Sequence, residues 1–297
     1  MDTFYEIAEL SINGVLIGLM YTLIALGIVL VFKSSGIANL AQGAMAMVGG
    51  YLTWAALVLL GLPLWAGLPL AMVAMFFVGR GIERIALRRM IGQPVIMVIM
   101  LTLGLEILLR GLVPAIFGPA KKRLDIGIDN APVLLGPILI DRAYLVSGAV
   151  ALVLIGLAVL FFRTRQGVML RAVSDDQTAS WSVGIPVERA IGVSWGLAGV
   201  AAAAGGILWG SVQGVDWALS LLLIKALAVA ILGGLDSIAG VLIAGVVLGI
   251  LENVAPVYLE RLGGVSGTRD VVASLIILIT VIVRPHGLFG REDIERV

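Results

Sequence analysis

The sequence predicts an all-α polytopic membrane protein of about eight to ten transmembrane or half-spanning helices, one domain over residues 1–297. Composition is the first observation behind this: 60% of residues are hydrophobic and 13% charged, with a mean hydropathy of +1.11. Soluble domains carry about a quarter charged residues. Apolar runs of about twenty residues, the length needed to cross a bilayer, are the second. The third is an asymmetry of basic residues between alternate loops.

Taken in order, the apolar runs fall roughly at 9–32, 37–60, 64–82, 95–117, 143–162, 190–210, 218–233, 237–257 and 270–284. Several are short or interrupted by glycine, which leaves room for half-helices. A nine-segment layout puts Lys33, Arg80, Arg84, Arg88, Arg89, Arg163, Arg165, Arg171, Arg189, Arg284, Arg291 and Arg296 on one side. The other side receives Lys121, Lys122, Arg123, Arg142, Arg261 and Arg269. Twelve against six makes the first side cytoplasmic. The N-terminus is then outside, the C-terminus cytoplasmic, and the loop 118–142, with Asp125, Asp129 and Asp141, external. Met1 to Glu9 holds three acidic residues and no basic one, which is not the start of a cleavable signal.

Several function classes drop out. A net charge of +1 gives no footing for nucleic acid. There is no cysteine, and His286 is the single histidine, so thiol catalysis is excluded and no metal site is expected. No Walker-type loop occurs, nor any nucleophile–base–orienter set. We therefore expect no catalytic residue and no cofactor. If ATP drives the protein, hydrolysis belongs to another subunit.

The longest polar interruption with helical punctuation is Gly167 to Pro186, within a cytoplasmic loop 163–189. Ser174 and Gln177 have capping-box spacing, with Ser174 as N-cap. Asp175 and Asp176 would then occupy the first turn, where the helix dipole favours negative charge. Gly184 suits a left-handed residue beyond the helix end, and Pro186 stops continuation. About two turns of helix are signalled, with arginines on both sides. It is either a docking surface or an ordinary surface helix in a connecting loop.

Two apolar segments carry polar or glycine-rich interruptions: Asn39, Gln42 and Gly43 at the start of one, and Gly233 to Gly240 in the other half. Unpaired amides are costly in lipid, so such stretches face protein or a water-filled cavity. They mark either a transport pathway or close packing through small residues. Ionisable groups within spans are candidates by default. Glu106 and Arg110, four apart, form a self-neutralising helical pair. Lys225 is either functional or snorkels to the interface. Asp216, Asp236 and Glu252 are expected near membrane boundaries.

The run Leu170-Arg171-Ala172-Val173, then Ala179, then Gly184-Ile185, resembles the cytoplasmic coupling loop of ABC-importer permeases. It is most similar to the branched-chain amino acid family of those permeases. Gly18 to Gly27 leading to Asn39-Leu-Ala-Gln-Gly43, and Lys225-Ala226 through Ile231 to Gly240, are similar to the same family, in the same order. Together they cover nearly the whole chain. The resemblance implies an ABC-importer permease fold and a complex in the bacterial inner membrane. Its other members would be a second, non-identical permease, two cytoplasmic ATP-binding subunits and an external substrate-binding protein. It also implies that Arg171, Ala172, Ser174, Asp175, Gln177, Ala179 and Gly184 couple to the ATPase. Asn39, Gln42 and Gly43 would lie on the substrate pathway. Branched-chain amino acids are the first expected substrate, urea or short amides the second; a stand-alone secondary transporter is the alternative class. Leu40 and Gln42 stand where the family commonly has an aromatic residue and a histidine, and Trp181 is unusual in a docking helix.

Overall fold

The computed structural model describes residues 2–90, 93–128, 131–136, 138–263, 268–284 and 286–290. Asp129, Arg291 and Arg296 lie outside them. The helices are α1 (Asp2–Ser35), α2 (Gln42–Trp54), α3 (Leu64–Ile85), α4 (Val95–Phe117), α5 (Arg142–Phe161), α6 (Arg165–Asp175), α7 (Gln177–Ser182), α8 (Val187–Gln213), α9 (Leu222–Gly233), α10 (Ile238–Gly263) and α11 (Arg269–Val283). Short helical turns add Ala55–Leu59 after α2, Leu87–Met90 after α3 and Trp217–Leu221 before α9.

Every one of the nine apolar segments is helical. Among the described residues, seven helices are long and apolar enough to cross a membrane. The other two are shorter: Trp217–Gly233, which joins a single turn to α9, and the 15 residues of α11. Their length suits half-spanning elements, for which the short apolar runs left room. Two features depart from the expected pattern. The loop 118–142 contains a small antiparallel hairpin, Val133–Leu135 (β1) with Ile138–Ile140 (β2). The loop 163–189 contains two helices, α6 and α7, where one was expected.

Burial sorts the spans into centre and periphery. In its most apolar stretch α1 is 83% buried and α8 72%, against 17% for α4 and 22% for α3 and α5. Thus α1 and α8 form the axis of the bundle. Exposed apolar residues such as Phe77, Ile107, Leu152 and Leu278 face outward from α3, α4, α5 and α11, as a lipid-facing surface requires.

Glycine makes the central contacts close. Gly14 and Gly18 of α1 lie against Gly249 and Gly245 of α10, backbone on backbone. A Cβ on Gly18 would stand 2.8 Å from the Gly245 carbonyl carbon. Van der Waals packing of small residues is what associates helices in lipid, where no hydrophobic driving force separates helix from solvent. A second apolar cluster joins Leu30 and Val31 of α1, Leu170 and Val173 of α6, and Ala190, Trp195 and Ala198 of α8. It fixes the loop 163–189 to the helical bundle.

Candidate functional site

The loop 163–189 is built from two capped helices. Thr164 caps α6, its Oγ1 accepting from the Gly167 amide at 3.4 Å. Leu170 and Val173, three apart, bury on one face, while Arg171 is exposed on the other. That buried face holds α6 helical as far as Asp175. Ser174 therefore falls in the last turn of α6 and is not the cap expected from its spacing to Gln177. The N-cap of α7 is Asp176, whose backbone is extended (φ −158°, ψ 109°). Its Oδ1 accepts from the Ala179 amide at 2.9 Å. Asp175 ends α6 instead of opening the next helix, and the side chain of Gln177 lies outside the described residues. Ala172 is half-buried.

Helix α7 runs only from Gln177 to Ser182. Gly184 then takes a left-handed conformation (φ +84°), which favours glycine, and the Ile185 amide bonds back to the Ser180 carbonyl at 3.0 Å. Pro186 is the N-cap position of α8. The chain thus passes from α7 to α8 through one tight turn. Ala179, Trp181 and Val183 are exposed, Trp181 and Val183 to 75% and 76%. A short helix that offers Trp and Val outward, and is fixed from behind by α6, is suited to dock in a groove.

The polar residues before α2 are fully buried. Asn39 Nδ2 donates to Gln42 Oε1 at 3.1 Å, Asn39 Oδ1 accepts from the Ala41 amide at 3.0 Å, and Gln42 Nε2 donates to the Ala198 carbonyl at 3.0 Å. Gly43 lies close against the backbone at Ser220 and Leu223. Paired amides of this kind meet the hydrogen-bonding demand of an interrupted helix in a dry interior. In this conformation Asn39, Gln42 and Gly43 tie α2 to α8 and to the turn before α9. They line none of the cavities described below.

Besides Glu83 of α3, buried against Arg88 at 3.3 Å, the buried charges among the described residues sit in two places. Within α4, Arg110 Nη1 is 3.3 Å from Glu106 Oε1, and Glu106 is buried. The second place was not legible as a unit in the sequence. Lys225 of α9 is ion-paired to Glu252 of α10, and its Nζ is also 2.9 Å from Asp270 Oδ1 of α11. Tyr21 of α1 donates to Glu252 at 3.3 Å and stacks on Trp209 of α8, with centroids 5.0 Å apart. Glu252 is 4% exposed and ion-paired, a buried carboxylate with partners where none with a special role was expected; the Lys225 side chain is 15% exposed and reaches Glu252. Asp216 has a local role, accepting from the Ala218 amide at 3.0 Å. The Lys225 cluster opens on a cavity of about 690 Å³ at the ends of α9, α10 and α11. No group of three or more potential metal ligands occurs among the described residues.

Residues 10–282 match a family model described as branched-chain amino acid transport system / permease component. The chain belongs to this family. Its curated relatives match end to end. The high-affinity branched-chain amino acid transport system permease protein BraD of Pseudomonas aeruginosa is 28% identical, covering 100% of both chains. The corresponding LivH protein of Escherichia coli K12 is 29% identical over 100% of this chain and 99% of that one. A probable branched-chain amino acid transport permease protein LivH from Methanocaldococcus jannaschii is 30% identical over 91% and 89%. This chain is a multi-pass permease, the membrane subunit of a transport system.

The permease carries a second cavity, of about 370 Å³, in the loop after α4. Lys121, Lys122 and Arg123 line it, together with Gln213 and Gly214 at the end of α8. Lys122 exchanges backbone hydrogen bonds of 2.8 Å with Val215, and its ammonium lies 4.9 Å from the centre of the Trp54 ring. The basic triplet is thereby fixed to the ends of α2 and α8.

Proposed function

We propose that this permease forms, with a second and non-identical permease, the membrane core of an ATP-driven importer of branched-chain amino acids in a bacterial inner membrane. Two cytoplasmic ATPase subunits drive it, and an external binding protein delivers the substrate. The observation that carries this reading is the match of residues 10–282 to the permease family. The N-terminus lies outside and the C-terminus inside, which the basic-residue asymmetry supports. Lys121, Lys122 and Arg123 then face the binding protein.

On the inner side α7 is the docking element. Asp176 caps it, Ala179 permits close approach of the ATPase, and Gly184 turns the chain into α8. Arg171 and Ala172 set the angle of entry through α6, and Ser174, Asp175 and Gln177 complete the contact. Closure of the ATPase pair moves α7, and α8 follows as a rigid element. Asn39, Gln42 and Gly43 border the pathway only when α2 and α8 part.

The test is a pull-down of the detergent-extracted permease, native and Gly184→Pro. An ATPase and a second permease should co-purify with the native chain, and the ATPase should be lost from the variant. A native chain that purifies alone and transports after reconstitution without ATP would overturn the importer reading.

A further inference from the structure

The cavity that opens on Lys225 contains polar atoms with nothing to bind. Glu252 has one oxygen held by Lys225 and Tyr21, but its Oε2 is buried and has no hydrogen-bond partner among the described residues. The Oγ1 of Thr268, a residue 7% exposed, is likewise buried without a partner. Thr268 occupies the N-cap position of α11, yet no side chain caps that helix. The first amides of α11 are therefore without a side-chain acceptor, and a helix N-terminus attracts negative charge. Arg269 and Lys225 line the same cavity and add two cations. Glu252, paired to Lys225, carries the free oxygen. An orphaned carboxylate oxygen and an orphaned hydroxyl, on two residues that line one cavity, are costly in a protein interior unless a ligand satisfies them.

We propose that this cavity is a subsite for a zwitterion, the α-amino and α-carboxyl groups of a free amino acid. The carboxylate is received at the start of α11 by the Thr268 hydroxyl, with Lys225 and Arg269 as counter-charges. The ammonium is received by Glu252. In the empty site Lys225 is held by Glu252 and Asp270, and the lining carries two cations, Lys225 and Arg269, against three carboxylates, Glu252, Glu260 and Asp270. When a zwitterion enters, each protein charge exchanges part of its partner for the ligand's opposite charge, and net charge does not change. Apolar residues of the same lining, among them Ile17, Leu222 and Ala273, receive an aliphatic side chain. An uncharged amide or urea satisfies neither end fully, so the site favours amino acids over them. This inference rests on the importer reading above and adds a place inside the permease where the substrate is recognised.

The decisive variant is Thr268→Val, because it removes a hydroxyl that nothing in the described protein uses. The complete importer, with its ATPase, second permease and binding protein, is reconstituted in liposomes, and leucine uptake and ATP hydrolysis are measured together. Thr268→Val should leave assembly unchanged and lower leucine moved per ATP by about tenfold, the effect of one hydrogen bond to a charged group. Glu252→Gln should lower it at least as far. Unchanged leucine uptake by Thr268→Val would overturn the subsite while leaving the importer reading intact. A native importer that hydrolyses ATP without moving any branched-chain amino acid would overturn both. Should Glu252→Gln fail to assemble, Thr268→Val alone decides.

Discussion

The seam between α1 and α10 offers a sharp test of how this fold is held together. Replacing Gly18 by Ala adds one methyl group, whose carbon would lie 2.8 Å from the carbonyl carbon of Gly245 and 3.1 Å from Cα of Val246. Ordinary contact starts near 3.4 Å and the Gly245 carbonyl oxygen lies closer still, so the helices must separate by more than 3.4 − 2.8, roughly 0.6 Å, at that point. Both obstacles are backbone and no rotamer change relieves them. Overpacking of this kind costs about 1–3 kcal/mol. Gly→Ala also improves intrinsic helix preference, by up to about 1 kcal/mol. Gly111→Ala in α4 supplies the control, since a Cβ there meets nothing within 4 Å. The difference between the two variants cancels the propensity gain and isolates the clash. Reversible unfolding in mixed micelles should place Gly18→Ala about 1–3 kcal/mol below Gly111→Ala. Equal stability of the two would refute the claim that close backbone approach, and not the flanking side chains, sets the α1–α10 contact.

Other perturbations follow from single contacts. Asp176→Ala removes the cap of α7 and should cost about 1 kcal/mol locally, read as weaker ATPase co-purification at unchanged membrane expression. Ala179→Trp should have the same phenotype at normal α7 geometry, because the residue is exposed. In α4, Arg110→Ala leaves Glu106 buried without its counter-charge; a second change, Glu106→Ala, should restore part of the lost stability, and a double variant no better than either single one would contradict a structural pairing. Gln42→Leu deletes the bonds to Asn39 and to the Ala198 carbonyl and should destabilise the bundle by about 1–3 kcal/mol, measured by the same unfolding assay.

Much of the architecture was legible because spans are defined by local hydropathy and length. Each of the nine apolar runs is a helix, and the 15-residue α11 is as short as its run implied. The cap of α7 was misplaced for a specific reason. Ser174, Asp175 and Asp176 are three consecutive residues able to cap, and spacing to Gln177 favoured the first. The choice is made by tertiary burial: Leu170 and Val173 pack on α1 and α8 and carry α6 two residues further. The Lys225–Glu252–Asp270 cluster was invisible for another reason. Its members lie on three helices, and no local pattern brings them together. Glu106 and Arg110, by contrast, sit on one helical face, and their pairing can be written from sequence spacing alone.

Helix α8 has a mechanical consequence of its own. It is 27 residues long, roughly 40 Å at 1.5 Å per residue. Just past its midpoint it carries a sleeve of alanine and glycine, Ala201 to Gly206, with few protruding ridges. Ridged helices resist axial travel because each step demands that side chains disengage and re-seat. A smooth rod resists it less, and slides past its neighbours by shear. A displacement at the Gly184 turn is thereby transmitted along the rod, past the Gln42 bond at Ala198, to Gln213 beside Lys121, Lys122 and Arg123.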